Sequence, residues 1–193
     1  MTRRIIVVTG TPGTGKTTFA RMLARHLNAE YLPVGKFVTR HHLFRRYDEK
    51  RRTKVVDMTK TSRRMRRLIK LSDHTIVVET HHPEGIIAND LANVVFVLRC
   101  KPSILMRRLR RKKWSNEKIR ENVMAEILDS CYIHARSYYV RRKLVQLDTS
   151  HSNVKRSVRL AEKVLSGGKK PISRVNWLRD LENDASLSKY LRC

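Results

Sequence analysis

Apolar positions in this chain fall into two alternating patterns. Ile5 to Val8 form an unbroken apolar run within Arg3–Thr9, and Val94 to Leu98 form another with no polar interruption. Shorter runs lie at Glu30–Val34, Thr75–Val78 and Lys143–Leu147. Short, β-branched runs of this kind predict strands buried on both faces. Between them the apolar residues adopt helical spacing. Examples are Phe19, Met22, Leu23 and Leu27, then Met65, Leu68, Ile69 and Leu71 within 58–71. Ile104, Leu105 and Leu109 follow Pro102, and Ile119, Val123, Ala125, Ile127 and Leu128 mark the inner face of a long helix capped by Ser115. A last core helix is predicted over 154–165. Strand and helix in alternation predict a three-layer α/β fold with a parallel sheet of about five strands.

Two stretches interrupt the alternation. Residues 33–56 form a mixed insert in which Phe37, Leu43 and Phe44 anchor a short helix, followed by the basic run Lys50-Arg51-Arg52. A basic segment near 111–121 lies between two helices. After 1–165, Gly167-Gly168-Lys169-Lys170-Pro171 breaks the pattern, leaving 166–193 as a tail. Its Trp177, Leu178, Leu181, Leu187, Tyr190 and Leu191 either pack onto the core or help to dock a partner.

Between the first strand and the first helix stands Gly10-Thr11-Pro12-Gly13-Thr14-Gly15-Lys16-Thr17-Thr18, which fits G-x-x-x-x-G-K-[ST]. Glycines let the backbone curl so that its N–H groups face inward, and the helix adds its positive end, so the stretch is built to cradle phosphates. Gly13, Gly15, Lys16, Thr17 and Thr18 are the expected ATP contacts. Lys16 is placed to reach the β- and γ-phosphates, and Thr17 to hold Mg²⁺. Glu79 ends the third predicted strand and His81 follows it, at the sheet edge where ligands bind in such folds. By position alone Glu79 also reads as a solvated strand-end carboxylate, and His81 as a loop histidine with a structural hydrogen bond.

Charge adds a second signal. There are 43 Lys and Arg against 17 Asp and Glu, a formal net charge of +26. Internal ion pairs need both signs in comparable amounts, so the excess predicts a polyanionic partner, nucleic acid before membrane. The predicted helix over 58–71 carries Lys60, Arg63, Arg64, Arg66, Arg67 and Lys70. No apolar run has the length of a membrane span or the layout of a signal peptide, so a cytoplasmic location is expected. Cys100, Cys131 and Cys193 form no C-x-x-C pair, and His41-His42 and His81-His82 lack ligand spacing, so zinc is not expected.

One insert after the second strand and one late basic segment are the plan of a nucleoside monophosphate kinase. The first would hold the acceptor and the second would close as a lid over the donor. The chain resembles the atypical adenylate kinases of archaea and eukaryotes, the isoenzyme-six or CINAP type. The resemblance rests on the phosphate loop, Val34-Gly35, Tyr47-Asp48-Glu49, Asp57, Glu79-Thr80-His81, Val95 to Arg99, and Trp114-Ser115-Asn116-Glu117-Lys118 with Glu121-Asn122-Val123 and Ala125-Glu126-Ile127. It spans roughly residues 3–165. It implies phosphate transfer from ATP to AMP, an ATPase activity, and work in late maturation of the small ribosomal subunit, with Glu79 acting on Mg²⁺ through water or orienting the attacking group, and His81 positioning a water or helping the conformational switch. It also implies contact with a uS-eleven-type ribosomal protein and with rRNA.

Three departures stand out. Gly35-Lys36-Phe37-Val38-Thr39 lacks the arginine expected to grip the AMP phosphate, and Arg40 is only its neighbour. Lys112-Lys113-Trp114 replaces an arginine-led lid segment, keeping charge at Lys112 but losing the planar fork. Glu79 replaces an Asp. Three functions remain open: a kinase and ATPase of ribosome assembly, a nucleotide-switched ribonucleoprotein-binding factor, and a salvage kinase.

Overall fold

The computed structural model describes residues 3–49, 53–151, 153–169 and 175–181. Lys50-Arg51-Arg52, Leu187, Tyr190, Leu191 and Cys193 lie outside these residues. Five strands form one parallel sheet: β1 (Ile5–Gly10), β2 (Glu30–Pro33), β5 (Ile76–Glu79), β6 (Val94–Arg99) and β7 (Leu144–Asp148), in the order β2-β5-β1-β6-β7. The alternation of side chains along each strand builds two separate cores. Ile5, Val7, Ile76, Val78, Val95 and Val97 face one way, against α2 (Val34–Arg40), α3 (Met58–Leu71) and α6 (Ser130–Tyr138). Ile6, Val8, Val77, Val94, Phe96 and Leu98 face the other, against α1 (Lys16–His26) and α7 (Val154–Leu165). The three-layer α/β expectation therefore holds.

A third cluster joins α4 (Pro102–Arg111) to α5 (Asn116–Ile127) through Cys100, Leu105, Leu109, Ile119, Val123 and Ile127. Pro102 sits in the first turn of α4, where its missing N–H costs nothing. Ser115 caps α5, its Oγ accepting from the Lys118 backbone N–H.

Several local features differ from the sequence reading. The 33–56 stretch contains α2 and an antiparallel hairpin, β3 (Phe44–Asp48) with β4 (Thr53–Val56), which its exposed charges disguised. Asp57 caps α3 by accepting from the Lys60 N–H. On α3, Met65 and Ile69 are buried but Leu71 is 72% exposed. At about 100° per residue Leu71 points roughly 200° away from Ile69. The predicted long helix stops at Ile127: Leu128 is exposed, Asp129 takes a left-handed φ of 56°, and α6 begins afresh. Residues 116–121 are the first turns of α5, so the connection from α4 is only 112–115. In the tail, α8 (Trp177–Leu181) packs on α5, with Trp177 buried. No helix among the described residues is long and apolar enough to cross a membrane.

Candidate functional site

The phosphate loop leaves β1 at the centre of the sheet. Gly10 has a φ of 139°, and a Cβ there would lie 2.4 Å from the Leu98 carbonyl oxygen of β6. Gly13 has a φ of 93°, and its Cβ would sit 2.7 Å from a Leu105 methyl. These two positions require glycine, because the loop must press against both β6 and α4. Gly15 caps α1 without any side-chain hydrogen bond, so no side-chain cap competes for the first N–H groups of that helix.

Lys16 is buried and folded back. Its Nζ donates to the carbonyl of Gly10 at 2.7 Å and of Thr11 at 3.1 Å. Burial pushes its pKa down to about 8, against the opposing pull of Cys131, Glu79 and Glu126. Parallel pairing sets Val8 beside Glu79, which carries the carboxylate to the mouth of the loop. There Thr17 Oγ1 donates to Glu79 Oε1 at 2.6 Å. The other oxygen, Oε2, accepts from the Tyr31 hydroxyl. Burial first, and then Glu79, push the Tyr31 phenol up to about 12, so it stays a donor. A hydroxyl and a carboxylate oxygen side by side are the hard oxygen ligands that Mg²⁺ takes.

His81 sits on the adjoining rim, its backbone carbonyl accepting from Thr9 Oγ1 at 3.1 Å. Desolvation, and then the Lys16 cation, hold its pKa below the usual histidine value, so the ring is neutral at pH 7.

A cavity of about 420 Å³ opens beside the loop. Gly13, Thr14, Gly15 and Thr18 form one wall, Arg108, Arg111 and Lys112 a second, and Thr149, His151, Val154 and Ser157 a third. Lys112 therefore lines the cavity beside the loop, together with Arg111 of the same 111–121 segment and with Arg108, which the sequence did not single out. Thr149 Oγ1 donates to the Thr14 carbonyl at 2.7 Å, pinning the end of β7 to the loop.

A buried carboxylate supports the far side. Glu126 Oε1 accepts from Arg99 Nε at 2.9 Å, from the Cys100 N–H at 3.0 Å and from Trp177 Nε1 at 3.1 Å. Its Oε2 accepts from Thr11 Oγ1 of the phosphate loop. Arg99 also pairs with Asp129 and donates to Gln146. Trp177 thus packs onto the chain's own core, while Leu178 beside it is exposed.

Lys16, Thr17, Glu79, His81 and Lys112 all converge here. Thr39 does not: it is exposed on α2, its Oγ1 accepting from Lys54 Nζ at 3.3 Å. Tyr31 carried no signal in the sequence beyond its residue type, and Glu126 appeared only within the Ala125-Glu126-Ile127 segment of the resemblance with no role attached, since both act through contacts far apart along the chain.

A family model described as an AAA domain matches residues 6–129. A protein of Sulfurisphaera tokodaii named "Putative adenylate kinase" is 35% identical over 174 residues, 90% of this chain and 86% of its own length. A protein of the same name from Saccharolobus solfataricus is 34% identical over 176 residues, covering 91% and 88%. Among solved structures, shikimate kinase from Bacteroides thetaiotaomicron superposes with a TM-score of 0.59 at 17% identity, over 84% of this chain and 98% of that one, a likeness of fold. Identity above 30% to these archaeal proteins over most of both chains, together with the family model over 6–129, establishes that the chain belongs to the atypical adenylate kinase family.

Proposed function

We propose that the chain transfers the γ-phosphate of ATP to AMP or another nucleoside monophosphate, and hydrolyses ATP when no acceptor is bound. The observation that carries this is the meeting of Lys16, Thr17 and Glu79 at one loop mouth, faced by a cavity with three cations. In the reaction an acceptor phosphate oxygen, or water, forms a bond to the γ-phosphorus while the bond to the bridging oxygen breaks. Charge on the transferred group spreads over its equatorial oxygens, so positioned cations matter most. Loop N–H groups and Lys16 would hold the donor phosphates. Arg108, which also donates to the Thr149 carbonyl at 2.6 Å, and Arg111 would meet the donor phosphates from α4, and Lys112 just beyond it would close over them. Thr17, with Glu79 directly or through water, would hold Mg²⁺, which supplies charge neutralisation to the donor phosphates. Neutral His81 would accept a hydrogen bond from the attacking group and position it.

The acceptor would lie over the 33–56 insert, where Thr39 and Arg40 offer a weaker grip than a placed arginine. Transfer to AMP is therefore expected to run with a raised KM. The test is ADP formation from ATP, with and without each monophosphate, in wild type, Glu79→Gln and His81→Ala. AMP should raise the rate, and Glu79→Gln should lower it by on the order of a hundredfold. No ADP under any condition sinks the enzymatic reading; a rate indifferent to every monophosphate leaves only the ATPase.

We further propose, as the family resemblance implies, that this activity belongs to late maturation of the small ribosomal subunit with a uS-eleven-type ribosomal protein as partner; the net charge of +26 supports rRNA as the polyanion. A groove of about 580 Å³ between α2 and α3 has Phe37, Leu43 and Leu68 in its floor and Lys60, Arg63, Arg64 and Arg67 along it. Arg66 is paired with Asp90 at 3.1 Å, whereas Arg63, Arg64 and Arg67 have no ion pair among the described residues. The same groove supports the alternative of a nucleotide-switched binding factor with little turnover. Affinity for rRNA should fall steeply with salt, with a log–log slope of about −0.7 per phosphate neutralised on single strands. A flat response would remove rRNA from the partners.

A further inference from the structure

The loop after β5 carries more than His81. His82 and Glu84 follow on either side of Pro83, and His82 Nδ1 lies 3.1 Å from Glu84 Oε1. Across from them stands His134, in the middle of α6. One ligand atom from each of these three residues lies within 4.8 Å of the other two, a grouping the histidine pairs in the sequence do not reveal.

The scaffold holds both halves in place without help. Pro83 is buried, and its carbonyl accepts from the N–H groups of Ile86 and Ile87 at 3.1 and 2.9 Å. At the end of α6, Tyr139 Oη donates to the Ile87 carbonyl at 2.7 Å, and Ala135 is fully buried beside His134. Loop and helix are therefore docked on each other, while the imidazoles of His82 and His134 stay exposed on the shared rim.

We propose that His82, Glu84 and His134 form a site for one divalent transition metal of the zinc class, tying the His81 loop to α6. Two imidazoles and one carboxylate are a donor set that zinc accepts, with a fourth position left to water. Tetrahedral ligands about 2.0–2.1 Å from zinc are separated by about 3.3 Å. The His82–Glu84 pair already has that spacing, and rotation of the exposed His134 ring brings in the third ligand. Cys131, one turn before His134, is not a ligand. Its Sγ faces the phosphate loop, 3.7 Å from Thr11 Oγ1, and burial pushes its thiol pKa up. Glu84 supplies the negative charge of the donor set.

The test uses the full chain, free of nucleotide, titrated with Zn²⁺ against a chromophoric chelator and with Co²⁺ followed by absorption. The expected result is one ion per chain that excess Mg²⁺ does not displace, with visible Co²⁺ bands and no near-ultraviolet thiolate band. Losing a supporting outer group costs metal sites about 10–100-fold, so losing a ligand in His134→Ala or His82→Ala should cost at least about 100-fold. Glu84→Gln, which keeps shape and hydrogen bonding, should weaken binding at least about tenfold, and Cys131→Ser should leave it unchanged. Unaltered melting of the metal-free variants checks that they fold. Wild-type affinity in His134→Ala, displacement by Mg²⁺, or a thiolate band overturns the site. Zinc should also slow amide exchange over 80–85 in wild type but not in His134→Ala; unchanged exchange in wild type overturns the tie to α6.

Discussion

Replacing Lys16 by Met is expected to lower the rate of ADP formation by about 10²–10³-fold, the usual cost of removing one preorganised group that meets transition-state charge. The side chain is already inside the loop, held by two carbonyls 2.7 and 3.1 Å away. Its ammonium must leave these partners for the phosphates, a short move within one loop. Burial adds a pH signature. In the free protein the Lys16 pKa is pushed down to about 8. Bound phosphates favour the ammonium and must raise that value, so nucleotide binding takes up a proton above pH 8. The sign follows from linkage: the state that holds more protons is weakened as pH rises. ATP affinity should therefore change little through Lys16 below about pH 7 and fall by up to tenfold per unit above pH 8. Lys16→Met should lose that limb, so the ratio of wild-type to variant affinity isolates it. A ratio constant from pH 7 to 10 would show that the buried ammonium does not titrate in this range. A loss of rate under about fivefold would show that Lys16 does not meet the transferred charge.

Glu126→Ala is the change with the largest expected effect on stability. Arg99 and Glu126 are both 1% exposed and joined at 2.9 Å. Removing one member of a buried pair costs about 3–5 kcal/mol, because the other charge stays buried. Asp129 and Gln146 still serve Arg99 and limit the damage there. Against that, the Cys100 N–H, Trp177 Nε1 and Thr11 Oγ1 lose an acceptor together. For a chain of this size the melting temperature should drop by on the order of 10 °C. Glu126→Gln keeps the volume and one acceptor and should cost less. Two further readouts separate this network from a general loss of packing. Trp177 fluorescence should shift to the red as its indole N–H becomes solvated, and ATP should bind more weakly because Thr11 belongs to the phosphate loop. Chemical denaturation showing a loss under 1 kcal/mol would mean that Arg99 is satisfied without Glu126.

The two variants probe opposite walls of one loop, and they separate how legible each wall is. Lys16 could be assigned from the sequence because its chemistry is local. The glycines, the lysine and the threonine are contiguous, and the β-branched run before them and the helical spacing after them define the turn that holds them. The strand at 94–99 and the helix at 154–165 were legible for a similar reason: burial on both faces, or on one stripe, is written directly into residue spacing. The hairpin at 44–56 was not legible. Its strands are short, basic and half-exposed, so neither face carries a period-two apolar pattern. Leu71 and Leu128 were misplaced because apolar residues at helix ends are counted as inward even where the helical rotation carries them out. The start of α5 was legible because Ser115 caps it and Ile119 anchors its first turns in the core.

Residue spacing was enough to place a phosphate-binding loop between the first strand and the first helix of a parallel α/β fold. Those features depend on neighbours within a few residues and on burial patterns the chain carries openly. Tertiary structure alone decided what surrounds the loop. Thr17 meets Glu79 across 62 residues, and Thr11 meets Glu126 across 115. Both contacts exist because the order β2-β5-β1-β6-β7 sets β5 and β6 on either side of β1. Strand order follows from how the two faces of the sheet are covered by helices, a property of the whole chain that no local spacing encodes.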